Sequence, residues 1–142
     1  MLPSNVLDTI SNTRIAPSPI HGLGLWASVA MAPHTTLCAL DGQLMDYAFY
    51  EQLVAGRSDL PFIEWNALPG DRLLVRFVRT KYSFINHSRE PNCEVLAHSP
   101  ASWGFLQLRT CKPIPSGGEL LLDYRKEPLP SGYLAGHGST YL

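Results

Sequence analysis

Three short stretches of the chain place reactive or binding groups close together. Asn86-His87 directly follows the apolar pair Phe84-Ile85 and opens a polar run that ends at Asn92. An amide and an imidazole at the end of an apolar strand are costly to bury without partners, so they either hold a loop together or meet a ligand. Asn86-His87-Ser88 is also formally a glycosylation sequon, but no secretory signal accompanies it. Glu119-Leu120-Leu121-Leu122-Asp123-Tyr124 puts a phenol at the end of an apolar strand, where its hydroxyl needs a partner. Gly22-Leu23-Gly24 lets backbone approach a ligand closely, or simply turns the chain. It is not a dinucleotide fingerprint, because the third glycine and the following helix are missing, and no phosphate-binding loop motif occurs. Taken singly, each stretch is read more simply as a turn, a polar loop or a core tyrosine.

Metal and disulfide chemistry are disfavoured. Cys38, Cys93 and Cys111 are odd in number, far apart and outside any Cys-x-x-Cys spacing. They read as reduced thiols of a cytoplasmic protein. His87 and Cys93 lack two further ligands nearby, so no metal site is expected.

The elements that must position these groups are short. The 142 residues fit one domain and bury enough surface to need no disulfides. Hydrophobic residues make up 45% and charged residues 16%, which excludes a disordered charged chain. The 11 glycines and 12 prolines imply many turns and a mainly β fold, α+β with few helices. No apolar run approaches the roughly 20 residues of a membrane span, and the amino end has no signal-peptide pattern, so a cytoplasmic location without membrane contact is expected. The net charge of −1 makes nucleic acid an improbable partner. A weak basic set, Arg72, Arg76, Arg79, Lys81 and Arg89, is the only feature in its favour.

Residues 1–13 read as a leader arm. Arg14–Ala16, Trp26 with the residues around it, Thr35–Leu40, Arg72–Val78, Cys93–Ala97, Gly104–Thr110 and Glu119–Tyr124 read as strands, with Phe105, Leu106 and Leu108 in the core. Asp46–Ala55 is the best helix, with Asp46 as cap, Phe49 and Leu53 one turn apart and Gly56 as stop. A doubly wound α/β fold is disfavoured for want of crossover helices. Charge is uneven: residues 1–71 hold seven acids and two bases, residues 72–142 nine bases and five acids. The acids are either ordinary solvated surface or a wall that attracts a cationic partner.

Together and in this order the stretches resemble the SET-domain family of protein lysine methyltransferases. The resemblance rests on Gly22-x-Gly24-x-x-Ala27, on Phe84-Ile85-Asn86-His87-Ser88-x-x-Pro91-Asn92, and on Phe105-Leu106-x-Leu108 leading through Ile114 to Gly117-x-Glu119-Leu120-x-x-Asp123-Tyr124. It covers residues 14–125, with 41–71 as the variable insert on the substrate side and 126–142 as a tail. It implies small twisted sheets around a pseudoknot, with S-adenosylmethionine on one face and a narrow lysine channel on the other. It further implies that the backbone of Gly22, Leu23, Gly24 and Trp26 cradles the methionine moiety. Asn86 and the His87 backbone would grip the cofactor, Tyr124 would stand at the point of transfer, and Tyr82 and Tyr133 would border the lysine.

The family often has Arg at Ser83, Cys at Arg89 and Glu at Gly118, and its early-strand Tyr is Leu40 here. The cysteine-rich zinc segment that often follows the domain is absent from 126–142, leaving Tyr133 and Tyr141 to close the channel. The implied activity is S-adenosylmethionine-dependent N-methylation of an exposed lysine in a basic protein segment, either a histone tail or another cellular protein. A second copy of the chain could complete the site as a homodimer. Leu40 and Ser83 favour the alternative, a SET-fold binding module with little or no turnover.

Overall fold

The computed structural model describes residues 2–3, 5–59, 63–97 and 106–142. It is built from small sheets: β1 (Val6–Leu7), β2 (Thr13–Pro17), β3 (Leu23–Ala27), β4 (Thr36–Leu40), β5 (Gln43–Asp46), β6 (Glu64–Leu68), β7 (Arg72–Arg76), β8 (Arg79–Thr80), β9 (Asn86–His87), β10 (Cys93–Ala97), β11 (Leu106–Thr110) and β12 (Leu121–Leu122). Helix α1 spans Tyr47–Val54 and helix α2 spans Ser131–Ala135. Among the described residues, 3-10 turns lie at Lys81–Phe84, Tyr124–Lys126 and His137–Thr140. The mainly β expectation therefore holds. The expected start of the β11 strand at Gly104, and core residue Phe105, lie outside the described residues.

β2 and β3 form an antiparallel hairpin, with Arg14 opposite Trp26 and Pro17 opposite Leu23. β4 and β10 flank β11, and β5 and β6 flank β7, all antiparallel. The main core joins Leu25 of the hairpin, Leu68, Leu74, Phe84, Ile85, Leu108, Ile114 and Leu120. A second cluster of Met45, Leu73 and Val75 carries Tyr47, Tyr50, Leu53 and Trp65 on its outer side. Leu40, the residue standing where the family often has Tyr, is a core side chain opposite Leu106.

Four local differences from the sequence reading have physical reasons. Residues 1–13 carry an element of the fold: β1 pairs in parallel with β8, Ile10 is fully buried, and the Lys81 ammonium bonds the Ile10 and Thr13 carbonyls and the Asp8 carboxylate. β6 was not expected, because polar Glu64 and Asn66 occupy its inward positions and erase the apolar alternation. Asp46 takes the extended cap conformation of α1 without a side-chain cap bond, and Phe49 is exposed. The helix is held instead by Tyr50 and Leu53 against the second cluster.

The closing strand is shorter than Glu119–Tyr124 because it changes partner midway. Glu119 and Leu120 pair with β3, Leu121 and Leu122 with β9, and Tyr124 already begins a 3-10 turn. Among the described residues no helix is long and apolar enough to cross a membrane.

Candidate active site

The site grows from a crossing of two segments. β9 and β12 run parallel, Asn86 beside Leu121 and His87 beside Leu122. The Ser88 N–H donates to the Leu122 carbonyl at 2.9 Å. The Asn92 amide brackets the same strand, donating to the Glu119 carbonyl and accepting from the Leu121 N–H, both at 2.8 Å. On the opposite side the Leu120 N–H donates to the Leu25 carbonyl at 2.8 Å. The closing segment is thus threaded between the glycine hairpin and the Asn86–Asn92 loop. Among the described residues no buried side-chain nitrogen or oxygen lacks a hydrogen-bond partner, as burial demands.

Asn86 ties the crossing to the glycine turn. Its Nδ2 donates to the His21 carbonyl, the Leu23 carbonyl and Glu119 Oε1 at 3.0–3.3 Å. Those donors are spent inside the protein, so what the side chain can offer a ligand is its Oδ1 as an acceptor. Gly24 is buried under the same carboxylate. A Cβ there would sit 2.2 Å from Glu119 Oε1, far inside contact distance, so only glycine leaves the Asn86–Glu119 bond in place. Gly22 has φ +46°, a left-handed conformation that glycine adopts without strain.

Tyr124 is fixed at both ends. Its N–H donates to His87 Nδ1 at 3.1 Å, and its hydroxyl donates to the Ile85 carbonyl. The accepting Nδ1 marks a neutral imidazole, and burial pushes the His87 pKa down, against the pull of Asp123. Two hydrogen bonds from the Arg125 guanidinium hold the Asp123 carboxyl down at about 2. Burial holds the Tyr124 phenol well above its ordinary value, so it stays protonated at neutral pH. Burial also raises the thiols of Cys38 to about 11 and Cys93 to about 12, which leaves both inert.

Two cavities share a wall here. The larger, about 610 Å³, is lined by Ile20, His21, Ser83, Asn86, His87, Tyr124 and Tyr141. The smaller, about 200 Å³, is walled largely by rings and by two carboxylates, with Tyr82, Trp65, Tyr133, Glu64 and Glu127 around it. Ser83, Tyr124 and Tyr141 border both. The tail supplies Tyr133 and Tyr141, whose hydroxyls bond one another, while the Tyr141 ring meets His87 and Tyr124 edge-on. Arg89 anchors the end of the tail by donating to the Leu142 carbonyl at 3.2 Å.

Behind the smaller cavity runs a buried polar chain. Arg76 donates to Glu64 at 2.6 Å, to the Asn66 Oδ1 at 2.6 Å and to the Asp41 carbonyl at 2.8 Å. Because a guanidinium only donates, it fixes the Asn66 amide with its NH₂ outward. That NH₂ reaches the Tyr82 hydroxyl at 2.8 Å and Glu127 Oε1 at 3.2 Å.

Of the residues expected on the cofactor side, Asn86, His87 and Tyr124 meet on the larger cavity. Gly22, Leu23 and Gly24, expected to offer their backbone there, are not among the residues lining it, and the glycine turn reaches it through Ile20 and His21. Trp26 is not among the residues lining it. Its indole N–H donates to the Ala16 carbonyl at 3.2 Å, which locks the hairpin. Tyr82 and Tyr133, expected beside the lysine, both line the smaller cavity.

Sequence reasoning missed Asn66, Trp65 and Glu127. Glu127 lies between Lys126 and Pro128 in a stretch with no pattern, and nothing in it signals a site. Two of the five bases that favoured nucleic acid, Arg76 and Lys81, are buried and paired. Among the described residues no group of three His, Cys, Asp or Glu side chains could hold a metal ion.

A comparison with curated proteins finds no match for the chain. A family model, SET domain, matches residues 22–125. That span runs from the first glycine of the turn to the residue after Tyr124, and so takes in the hairpin, the threaded segment and the Asn86–Asn92 loop. The chain belongs to the SET-domain family, whose fold is of a methyltransferase type.

Proposed function

We propose that the protein is an S-adenosylmethionine-dependent methyltransferase that acts on lysine side chains of a protein substrate. The observation that carries this reading is the pair of cavities sharing the Tyr124 wall. The larger, about 610 Å³, has the volume of an ordinary small-molecule site, and the smaller, about 200 Å³, lies below that range. The donor set fits the cofactor's amino-acid end: Asn86 Oδ1 can accept from an ammonium, and the polypeptide around His21 and His87 adds further polar groups. S-adenosylmethionine, when bound there, supplies a methyl group on a positively charged sulfur.

The chain's own residues supply alignment. Tyr124 is held by Ile85 and by His87, and its oxygen keeps a lone pair that can accept a weak C–H contact. Tyr82, Trp65 and Tyr133 put apolar ring surface around the smaller cavity. Low-polarity surroundings disfavour an ammonium and so favour the neutral amine that can act as nucleophile. Holding the two reactants in line about 3–3.5 Å apart accounts for most of the rate. Leu40, which favoured a module without turnover, is a core residue away from both cavities, and Tyr82 stands in the smaller one. The test is calorimetric binding of S-adenosylmethionine followed by transfer of radiolabelled methyl to mixed cellular proteins. Label on lysine supports the reading, whereas cofactor binding without label supports the module.

A basic, flexible segment is the substrate this surface suits. Asp41, Asp46, Glu51, Asp59 and Asp71 are exposed in the 41–71 insert. Glu64, counted with them from sequence, is buried on Arg76 instead. Beside the smaller cavity, Trp65 and Tyr133 continue into a cluster with Tyr50, Tyr47 and Glu51, the Trp65 and Tyr133 rings 5.2 Å apart and the Tyr47 and Tyr50 rings stacked at 6.2 Å. Ring faces next to a carboxylate attract cations. Turnover on a basic lysine peptide should exceed that on an acidic one of equal length, and the gap should close from low to high salt as the Debye length falls below about 8 Å. Equal turnover on both, or no salt effect, would remove the acidic surface from the account.

A further inference from the structure

We propose that Glu127 takes the proton from the substrate lysine's ammonium inside the smaller cavity. The inference deepens the lysine-methylation reading above and rests on it. Lysine arrives protonated, since its ordinary pKa is about 10.4, and only the free amine has an electron pair to give. The N–H bond of the ammonium breaks with its pair left on nitrogen, and an O–H bond forms on the Glu127 carboxylate. A neutral amine and a carboxylic acid remain, with no charge left over.

The cavity offers two carboxylates, and one is already committed. Glu64 accepts from Arg76 at 2.6 Å and from the Thr80 hydroxyl and N–H at 2.8–3.0 Å. Among the described residues the side chain that donates to Glu127 is Asn66, a neutral NH₂ at 3.2 Å, and that donor is aimed by Arg76 through the other end of the same amide. Arg76 is thus linked to Glu127 by hydrogen bonds through the Asn66 amide, while its charge acts on the carboxyl from a distance.

The titratable residues that line the same cavity are Tyr82, Tyr124, Tyr133, Tyr141 and Glu64, the last bonded to Arg76. On its other flank Glu127 borders a cleft with Glu94, Asp123 and Lys126. Burial pushes the Tyr82, Tyr124 and Tyr141 phenols upward, so none of these three competes as a base. Burial also lifts the Glu127 carboxyl to about 7, opposed by the Asn66 bond and the Arg76 charge. A carboxylate poised there is matched to proton exchange at neutral pH.

Glu127→Gln tests this, because glutamine keeps the shape and still accepts from Asn66. Initial rates of methyl transfer to a library of basic single-lysine peptides are measured from pH 6 to about 10. The wild-type rate should rise through pH 7. The variant should be about 10²-fold slower at pH 7 and recover as the lysine ionises by itself at higher pH. A variant with the wild-type rate and profile overturns the proposal.

Two readouts are independent of turnover. In protein labelled with ¹³C at glutamate carboxyls, the resonance missing from the variant should titrate near pH 7. It should also move on adding n-butylammonium but not n-butanol; no movement with butylammonium overturns cation capture by Glu127. The raised folded-state pKa stabilises the protein fully below the ordinary Glu value of about 4.3 and less as pH rises through about 7. The wild-type melting temperature should therefore fall across that window relative to the variant, which also checks that the variant folds. Failure of the wild-type protein to transfer methyl at any pH would overturn the methyltransferase reading, while the butylammonium shift still decides Glu127.

Discussion

Tyr124→Phe is expected to lower methyl transfer about 10²–10³-fold, the scale of losing one positioned polar group at a reacting centre, while cofactor affinity stays near the wild-type value. The Tyr124 side chain borders both cavities, and its hydroxyl donates to the carbonyl of Ile85, which lines the smaller one, so the substitution leaves the other residues of the larger cavity in place. The phenol stays protonated, so the loss is one of placement and dipole and carries no pH dependence of its own near neutrality. Single-turnover rates and calorimetry on the same preparations separate the two effects. If Tyr124 were only a core residue, the variant would lose about 1–3 kcal/mol of stability through the unpaired Ile85 carbonyl and turn over normally.

Arg76→Met is expected to cost about 3–5 kcal/mol of folding stability, read from denaturant unfolding, because it strands the buried Glu64 carboxylate. Both side chains are almost wholly buried, at 7% and 3% exposure, and their contact is 2.6 Å. Thr80 still donates to Glu64 in the variant, which holds the loss toward the lower end of that range. Replacing both partners, Arg76→Met with Glu64→Leu, should recover much of the stability, since an apolar pair of similar volume is often no worse than a buried ion pair. The double variant should nonetheless lose turnover. Without the guanidinium, Asn66 is no longer obliged to aim its NH₂ at Tyr82 and Glu127. Recovery of both stability and turnover would show that the chain behind the cavity has no part in the chemistry.

The parts of this site that could be read in the sequence are those where a side chain or a missing side chain has one structural use. Asn86, His87 and Asn92 follow an apolar pair at short range, and the glycines at 22 and 24 stand at the start of a strand. The mainly β character followed from the turn residues, and the hairpin strands from apolar runs between breakers. The polar chain Glu64–Arg76–Asn66–Glu127 could not be read, because its bonded partners are 10 to 61 residues apart and polar residues in a strand look like a solvent face. Glu64 illustrates the point. Counted by sequence it is one more surface acid, and only the β6–β7 pairing, which places it opposite Arg76, makes it internal. The closing strand was misjudged for a related reason. Its apolar run is continuous, but its hydrogen bonds are divided between two neighbours, and a division of that kind leaves no periodic trace.

The threaded closing segment also orders events in time. β12 can be captured only after the hairpin and the Asn86–Asn92 loop are both in place to receive it, and β1 must wait likewise for the distant β8. Each of these closures brings together residues tens of positions apart, so the entropy of loop closure precedes the contacts that repay it, and folding is slow for a chain this short. A nascent chain emerging from the ribosome can form the β2–β3 hairpin early. It has neither cavity until Tyr124 has emerged, so chemistry is the last property the molecule acquires. Until then the unpaired edge of β3, from Leu25 to Ala27, lies open to any passing strand, and that interval is when this protein is most exposed to aggregation.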